Sequence, residues 1–539
     1  MTSLATPSQP EPVNFYQARR GILSWLLTTD HKRIGILYLI SILIFFFFAV
    51  SMAFMMRLEL FSPGEQFISA ETYNRILTLH GVAMIFLFII PVIPSIFGNF
   101  FLPIMIGASD VAFPRLNLLS WYFYVTGALL ALISVGLGGP DTGWTFYVPY
   151  SVDTQANVTV PLVAAVILGW SSILTGINFV TTVHRLRAPG MTWFRLPLFI
   201  WALYATAWTL IIATPVVGMT LVLVVLERLL GVGIFDPSRG GDPILFQHLF
   251  WIYSHPAVYI MVLPAMGVVS EVIPTFARKT IFGYKFIAFS SISIAGLGSL
   301  VWGHHMFVSG MGDFARVVFS FLTFLVAVPS GVKVFNWLAT LYKASIKLDP
   351  PLVFALMFIF LFSIGGLSGL IQGSLATDVH VHDTSFIVAH FHYTMFGGAG
   401  VMFFAALHYW FPKMFGRLYR KDIALVAAAI FFIGFNTLYL PLGAAGLAGM
   451  PRRYADYLPE YTIYHRISTI GSWITISAIL LMFGNLLHGL LRGKKAGENP
   501  WGGTTLEWMT TTPPPVENFE KTPVITGGPY QYPIEVPDE

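Results

Sequence analysis

The chain contains no cysteine in 539 residues. That excludes disulfides, thiolate-bound metals, iron–sulfur clusters and covalent c-type heme attachment, so any metal must sit on histidine and oxygen ligands. Charge is also scarce: Asp, Glu, Lys and Arg make up 10% of the sequence, against roughly 25% in soluble domains. There is too little polar surface to cover a water-soluble globule of this size. The net charge is only +4, and no basic run points to nucleic acid. The first ~30 residues lack an apolar core followed by a small-residue cleavage site, so no cleavable signal peptide is expected.

What fills the sequence instead is apolar. Hydrophobic residues make up 56% and aromatics 16%, with 48 Phe. A bilayer span needs about 20 apolar residues. Twelve such stretches are expected, near 35–56, 76–106, 117–138, 158–183, 197–229, 243–274, 285–309, 316–342, 351–375, 383–411, 422–446 and 466–491. The expected fold is all-α, a polytopic twelve-helix transmembrane bundle. Basic residues crowd alternate loops, among them Arg19, Arg20, Lys32, Arg33, Arg185, Arg187, Lys279, Lys285, Lys343, Lys347, Arg417 and Arg420. The opposite loops carry acids such as Glu59, Glu71, Asp141, Asp153, Asp236 and Asp313. The positive-inside rule then places both termini in the cytoplasm. Three regions are expected: a cytoplasmic N-terminal segment at 1–30, the twelve-span catalytic unit at 31–492, and an extended cytoplasmic tail at 493–539, rich in Pro, Gly and Thr and lying on the protein or on a partner. No short-period repeat is evident.

Ionisable groups at membrane depth are costly and usually functional. Six of the 14 His fall in spans: His80, His255, His304, His305, His390 and His392. Any one alone could be a hydrogen-bonded structural residue. Helix packing, however, needs neither an adjacent pair nor a His-x-His inside an apolar run. On an α-helix His390 and His392 project about 200° apart, so they cannot share one mononuclear centre and instead suit two cofactors flanking the tenth span. His80 could complete the coordination of one of them. His304 and His305 can reach a single ion if a third ligand joins them, and His255 is the natural third. Three imidazoles with an open position suit copper or zinc, and an apolar interior without a neighbouring acid favours redox copper. Tyr259, four residues after His255, stacks on the same helix face.

At these residues the sequence resembles subunit I of the heme–copper oxidases, nearest to the aa3-type cytochrome c oxidase branch. The motifs are HLFWIYSHPAVYI (248–260), WGHHMF (302–307), VAVPSGVKVFNW (326–337), HDTSFIVAHFHYTMFGG (382–398) and GMPRRYADY (449–457). The resemblance implies that His80 and His392 ligate a low-spin heme and that His390 is the axial ligand of a high-spin heme, heme a and heme a3 respectively. It also implies that His255, His304 and His305 bind copper, with Tyr259 covalently linked to His255 and Trp251 in the cofactor-binding set. Arg57 would bond the formyl group of the low-spin heme. Arg452 and Arg453 would clamp propionates, and Asp378 would sit near one of them. His382 and Asp383 match Mg²⁺ ligands; Glu59 and Gly64 fall where relatives bind Ca²⁺ or Na⁺.

The resemblance also implies two proton routes. One rises through Lys333, with Ser330 and Thr323 on related faces below it and Ser270 joining. The other begins at Asp110, flanked by Asn99 and Asn117, and continues through Ser171, Ser172 and Asn178. Many relatives carry a gating Glu where this chain has Ala257. Tyr253 and Ser254 precede it, as in the subclass in which a Tyr-Ser pair replaces the carboxylate. Ser385 stands where many relatives have Tyr.

The implied function is O₂ reduction to water coupled to proton pumping, with the donor cytochrome c. Electrons would enter through the dinuclear copper of a subunit II, since this chain lacks the cysteines for such a site. Subunit III and small subunits are further expected partners, and the bacterial-type cytoplasmic membrane is the expected location. A quinol oxidase and a nitric oxide reductase are the rivals within the superfamily; the latter would lack Tyr259 and carry glutamates near a non-heme iron. A proton- or sodium-coupled transporter is the rival from another class, but it gives no reason for the His pattern.

Overall fold

Lipid offers no hydrogen-bond partners, so an apolar chain must satisfy its backbone within helices to cross a bilayer. In the computed structural model, which describes residues 13–532, twelve helices are long and apolar enough to do so. They are α1 (His31–Glu59), α2 (Ala70–Met105), α3 (Pro114–Gly136), α4 (Thr159–Arg185), α5 (Leu198–Leu230), α6 (Pro243–Ala277), α7 (Tyr284–Met306), α8 (Asp313–Leu341), α9 (Pro350–Gly373), α10 (Ser385–Phe415), α11 (Lys421–Leu447) and α12 (Pro459–Arg492). Beyond helices, three isolated β-bridges are present among the described residues. Residues 1–12 of the expected N-terminal segment and 533–539 of the expected tail lie outside the described residues.

Helix ends follow local chemistry. Pro114, Pro243 and Pro350 open α3, α6 and α9, in the first turn, where a missing N–H costs nothing. The Asp30 carboxylate accepts from the Lys32 and Arg33 amides and so caps α1. The spans match the expected set in number and order, but several ends move. α2 begins at Ala70 rather than near 76, and α12 at Pro459 rather than near 466, which takes His465 into the helix. α7 differs in kind. Its α-helix stops at Gly298, and His304 and His305 sit on a separate 3₁₀ turn, Trp302–Met306. α2 and α10 carry π-helical turns at Ala83–Ile89, Val92–Gly98 and His392–Gly400, a form that recurs at functional sites.

α6 is the central helix. In its most apolar window 89% of residues are buried, against 11% in α8, so α8 faces lipid or a partner. α11 and α12 pack closely because Gly471 has no Cβ; one placed there would collide with the Leu438 backbone.

The tail lies on the protein. It returns across the face where the N-terminal segment lies, and Asn14 and Pro515 form a β-bridge. Trp501 and Trp508 donate their indole N–H to the Tyr409 carbonyl (2.7 Å) and hydroxyl (3.0 Å). Lys413 Nζ donates to the Thr510 carbonyl at 2.7 Å and the Thr512 hydroxyl at 2.6 Å. The Tyr530 hydroxyl donates to Glu271 at 2.6 Å and accepts from the Leu198 amide at 2.7 Å. Glu271 also accepts from the Phe199 amide at 2.9 Å, so a tail tyrosine and an α6 carboxylate together satisfy the first turn of α5.

In the tail, Glu507 is fully buried, and burial pushes its carboxyl up to about 7. The docked tail therefore holds a proton that a free tail releases near 4.5. Docking is strongest at low pH and weakens as pH rises through that window, by on the order of 3 kcal/mol in all. Tryptic cleavage at exposed Lys521 is expected to be faster at pH ~8.5, above that window, than at pH ~6, inside it, where part of the stabilisation remains, after correction for the protease's own pH dependence. Glu507→Gln should remove the difference; an unchanged pH dependence in that variant would assign it to another group.

Candidate active site

α6 supplies the centre of the site. Pro256 follows His255 in its middle, and His255 is buried. The 3₁₀ turn brings His304 and His305 against it. One ring nitrogen from each of the three lies within 4.8 Å of the others, and no carboxylate belongs to the group. His255 Nδ1 and His305 Nε2 are 3.0 Å apart. His304 has its Nδ1 2.9 Å from the Thr323 hydroxyl, which leaves its Nε2 free for the centre. Trp251 stacks flat on His305, with ring centroids 3.7 Å apart, and donates its indole N–H to the Tyr147 hydroxyl at 2.6 Å. The expected cofactor-binding tryptophan thus braces the imidazole of His305.

His255 Nε2 is buried without a hydrogen-bond partner. The Tyr259 ring stands 4.8 Å from the His255 ring, centroid to centroid. Gly298, at the end of the α-helical part of α7, permits this: a Cβ there would overlap the Tyr259 ring.

His80, His390 and His392 share one feature. Their Nδ1 atoms are tied to the Ala49 carbonyl at 2.9 Å, the Ser368 hydroxyl at 2.9 Å and the Val388 carbonyl at 2.8 Å. Each Nε2 is thereby left as the lone-pair donor, the tautomer an axial iron ligand needs. The separation of His390 from His392 does not arise from α-helical geometry alone, because the π turn begins at His392. Even so, the two rings face different helices. His390 meets α9 at Ser368, whereas His392 stacks on Tyr439 of α11 at 4.3 Å. His80 lies within electrostatic reach of His392, and His390 within reach of His255 and His304. The donor sets therefore fit two irons and one copper.

Polar groups crowd the outer ends of these helices. Arg452 pairs with Asp383 at 2.6 Å, and His382 Nδ1 with Asp378 at 2.8 Å. Burial alone would raise Asp383, but Arg452 beside it holds it below the usual carboxylate range. Burial lowers Arg453 to about 10. Arg57 donates to the His465 carbonyl at 2.8 Å and the Thr469 hydroxyl at 2.9 Å, and its Nε is buried without a partner. Glu59 accepts from the amides of Gln66, Phe67 and Ile68, and the Gly64 amide donates to Asp456 at 2.6 Å.

The proton-route residues separate into two groups. Lys333 is fully buried and donates to the Ser291 hydroxyl at 2.7 Å and the Ile287 carbonyl at 3.1 Å. Thr323 is not below it. Residues of α8 before 333 lie on the side of Lys333 nearer the His304 turn, and Thr323 reaches His304 itself. Ser330, one turn above Lys333, bonds back to the Val326 carbonyl. Ser270 accepts from the Trp337 indole at 3.0 Å. Along the second group, Asn99 Oδ1 and both side-chain polar atoms of Asn117 are buried without partners, the state of groups that ordered water serves. Asn178 instead brackets the Phe113 backbone. Ser171, Ser172 and Tyr253 line one small cavity with Ser95 and Tyr124, and Ser254 Oγ is buried and unpartnered. Ser385 donates to the Leu442 carbonyl.

Sequence reasoning missed four participants. Tyr38, whose hydroxyl joins Ser120 (2.9 Å) and Ser171 (3.1 Å), and Ser291 looked like ordinary helix residues. His465 sat at an uncertain span edge. Asp456 lies far in sequence from Gly64. Only His465 carried a signal, as a histidine bordering an apolar run.

Residues 33–474 match the family model described as Cytochrome C and Quinol oxidase polypeptide I. A cytochrome c oxidase subunit 1 from Thermostichus vulcanus is 44% identical over 99% of this chain and 96% of its own length. A protein of the same name from Cereibacter sphaeroides is 39% identical over 94% of this chain and 96% of its own length, and one from Bacillus sp. (strain PS3) is 42% identical over 94% and 83%. A solved structure described as a heme–copper terminal oxidase dimer shares the fold, with a TM-score of 0.75, 21% identity and coverage of 87% of this chain and 85% of its own.

Proposed function

The chain belongs to the cytochrome c and quinol oxidase polypeptide I family, as the heme- and copper-bearing catalytic subunit of a multi-pass membrane oxidase that works with other subunits; from that premise we propose how its residues divide the reaction. The observation that carries the reading is the convergence of His255, His304 and His305, without a carboxylate, beside Tyr259 and within reach of His390. His80 and His392 would hold the low-spin heme a, His390 the high-spin heme a3, and the three converging imidazoles the copper. When bound, these groups carry the electrons and bind and reduce O₂.

The chain's own residues position, insulate and move protons. The Tyr259 hydroxyl supplies a proton and an electron at the reaction site. An N–C bond would join its ring carbon to His255 Nε2, a reading supported by that atom's lack of a partner and by the neighbouring ring. Forming that bond removes the N–H and C–H hydrogens, a two-electron oxidation with O₂ as oxidant. Lys333 passes protons upward on one route. Asp110 takes them up on the other, with water between Asn99 and Asn117 and with Tyr253 and Ser254 replacing a gating glutamate. Arg57 anchors the low-spin heme through a substituent oxygen, and its unpartnered Nε supports this. Arg452 and Arg453 would hold the propionates, with Asp378 near one of them. His382 and Asp383 would share a Mg²⁺, and Glu59 and Gly64, joined by Asp456, a Ca²⁺ or Na⁺. The donor is cytochrome c through the dinuclear copper of a subunit II, with subunit III and small subunits completing a proton-pumping complex in a bacterial cytoplasmic membrane. The relatives' names support this donor over a quinol.

The test is a reduced-minus-oxidised spectrum of the purified complex with and without carbon monoxide, together with iron and copper counts. Two hemes per chain with bands of heme a, only one of them binding carbon monoxide, and copper are expected. Non-heme iron in place of copper would make it a nitric oxide reductase, and absence of heme would end the oxidase reading.

A further inference from the structure

The tail residue Asn518 is fully buried, although its neighbour Glu517 is exposed. Its backbone is left-handed, with φ 65°, a conformation that asparagine tolerates better than most residues. Its side-chain oxygen accepts from Lys32 Nζ at 2.8 Å. Its side-chain nitrogen donates to the carbonyls of Ala108 at 2.8 Å and Ser109 at 3.0 Å, the two residues immediately before Asp110. Lys32 also donates to the Val516 carbonyl at 2.9 Å and pairs with Asp30 at 3.4 Å. His31 completes the knot: its Nδ1 donates to the Asn99 carbonyl at 2.7 Å, which leaves its Nε2 as an acceptor 3.0 Å from Asn518 Nδ2. One tail amide therefore ties the start of α1 to the turn that presents Asp110.

We propose that Asn518 is a positioning residue for proton uptake at Asp110, holding the Ala108–Ser109 turn and the buried Lys32 ammonium in fixed register with that carboxyl. The inference rests on the reading of Asp110 as the uptake group. An amide suits the position for a specific reason: it offers one acceptor and two donors in a plane, and here a cation meets the acceptor while two carbonyls and the His31 ring nitrogen share the donors. Aspartate would keep the Lys32 contact but lose both donors. The charges acting on Asp110 are Asp30 and Glu517, which raise it, and Lys32, which lowers it; burial is the largest influence and brings it to about 7. The register of Lys32 thus helps keep Asp110 able to load and release protons in the working range.

The experiment is the pH profile of O₂ consumption by the intact complex carrying Asn518→Asp, Asn518→Ser, Lys32→Met or Asp110→Asn, alone and combined. Heme spectra identify variants that assemble. An uptake carboxyl delivers protons only while protonated, so the alkaline limb follows its affinity. Asn518→Asp adds an anion and Lys32→Met removes a cation, so both should move the limb to higher pH, by about one unit. Asn518→Ser, which brings no charge, should move it less, in the same direction. None should move it further once Asp110→Asn is present. A uniform fall in rate at every pH, in either background, would mean that Asn518 only holds the tail and would overturn the inference. If Asp110→Asn alone leaves turnover unchanged, the uptake reading itself fails and the inference falls with it. If Asp110→Asn lowers turnover but the limb stays put in the Asn518 and Lys32 variants, only this inference fails.

Discussion

Replacing His304 with alanine is expected to stop O₂ consumption, with a loss of ~10³-fold or more, equivalent to about 4 kcal/mol of barrier. The three imidazoles form a closed donor set with no nearby carboxylate to substitute for a lost ring. Two imidazoles alone hold copper poorly, so metal analysis should show the site's copper gone while both hemes remain, since His80, His390 and His392 are untouched. The turn carrying His304 is also cross-tied, because Thr323 on α8 fixes His304 Nδ1. Thr323→Val should therefore weaken copper retention more mildly, by roughly 10–100-fold, the usual cost of losing a group that orients a ligand. A His304→Ala protein with full copper and normal turnover would remove this cluster from the reaction.

Lys333→Met should slow turnover by roughly 10²-fold or more, the scale of losing one proton-transfer group, with heme spectra and metal content unchanged. Lys333 is a fully buried amine whose described hydrogen-bond partners, Ser291 and the Ile287 carbonyl, are both neutral. A cation there is held by no carboxylate, so the amine can give up its proton and take it back. Arginine at the position stays charged, and Lys333→Arg should not restore activity. In stopped-flow mixing with reductant, the Lys333→Met variant should show delayed reduction of the carbon monoxide-binding heme but not of the other. Equal reduction rates for both hemes, with normal turnover, would show that protons reach the site without Lys333. Ser291→Ala is a subordinate check, because its hydroxyl is the closest group to the ammonium.

The particulars show what could be read from the chain alone. Twelve apolar runs, a His-His pair and a His-x-His are local patterns, and their cost in lipid already demands metals and spans. Tyr259 four residues after His255 is also a local fact of helix geometry. Thr323 shows the opposite case. Its spacing from Lys333 placed it on a related face but not at the right depth, and α8 in three dimensions puts it against His304. Tyr38, Ser291 and Asp456 escaped for the same reason: each gains its role from a partner on another helix or loop. His392 needed the structure as well, because a π turn sets the direction of its ring.

By itself, then, the sequence determined the class of protein, the number of spans, the chemistry of the ligands and the family motifs, because periodicity, hydropathy and ligand type act within a few residues of chain. Tertiary structure alone decided which surface the tail covers, that Glu507 is buried and that Asn518 binds the turn before Asp110. Those contacts join residues hundreds of positions apart, and a tail rich in Pro, Gly and Thr carries no periodic signal of the surface it covers.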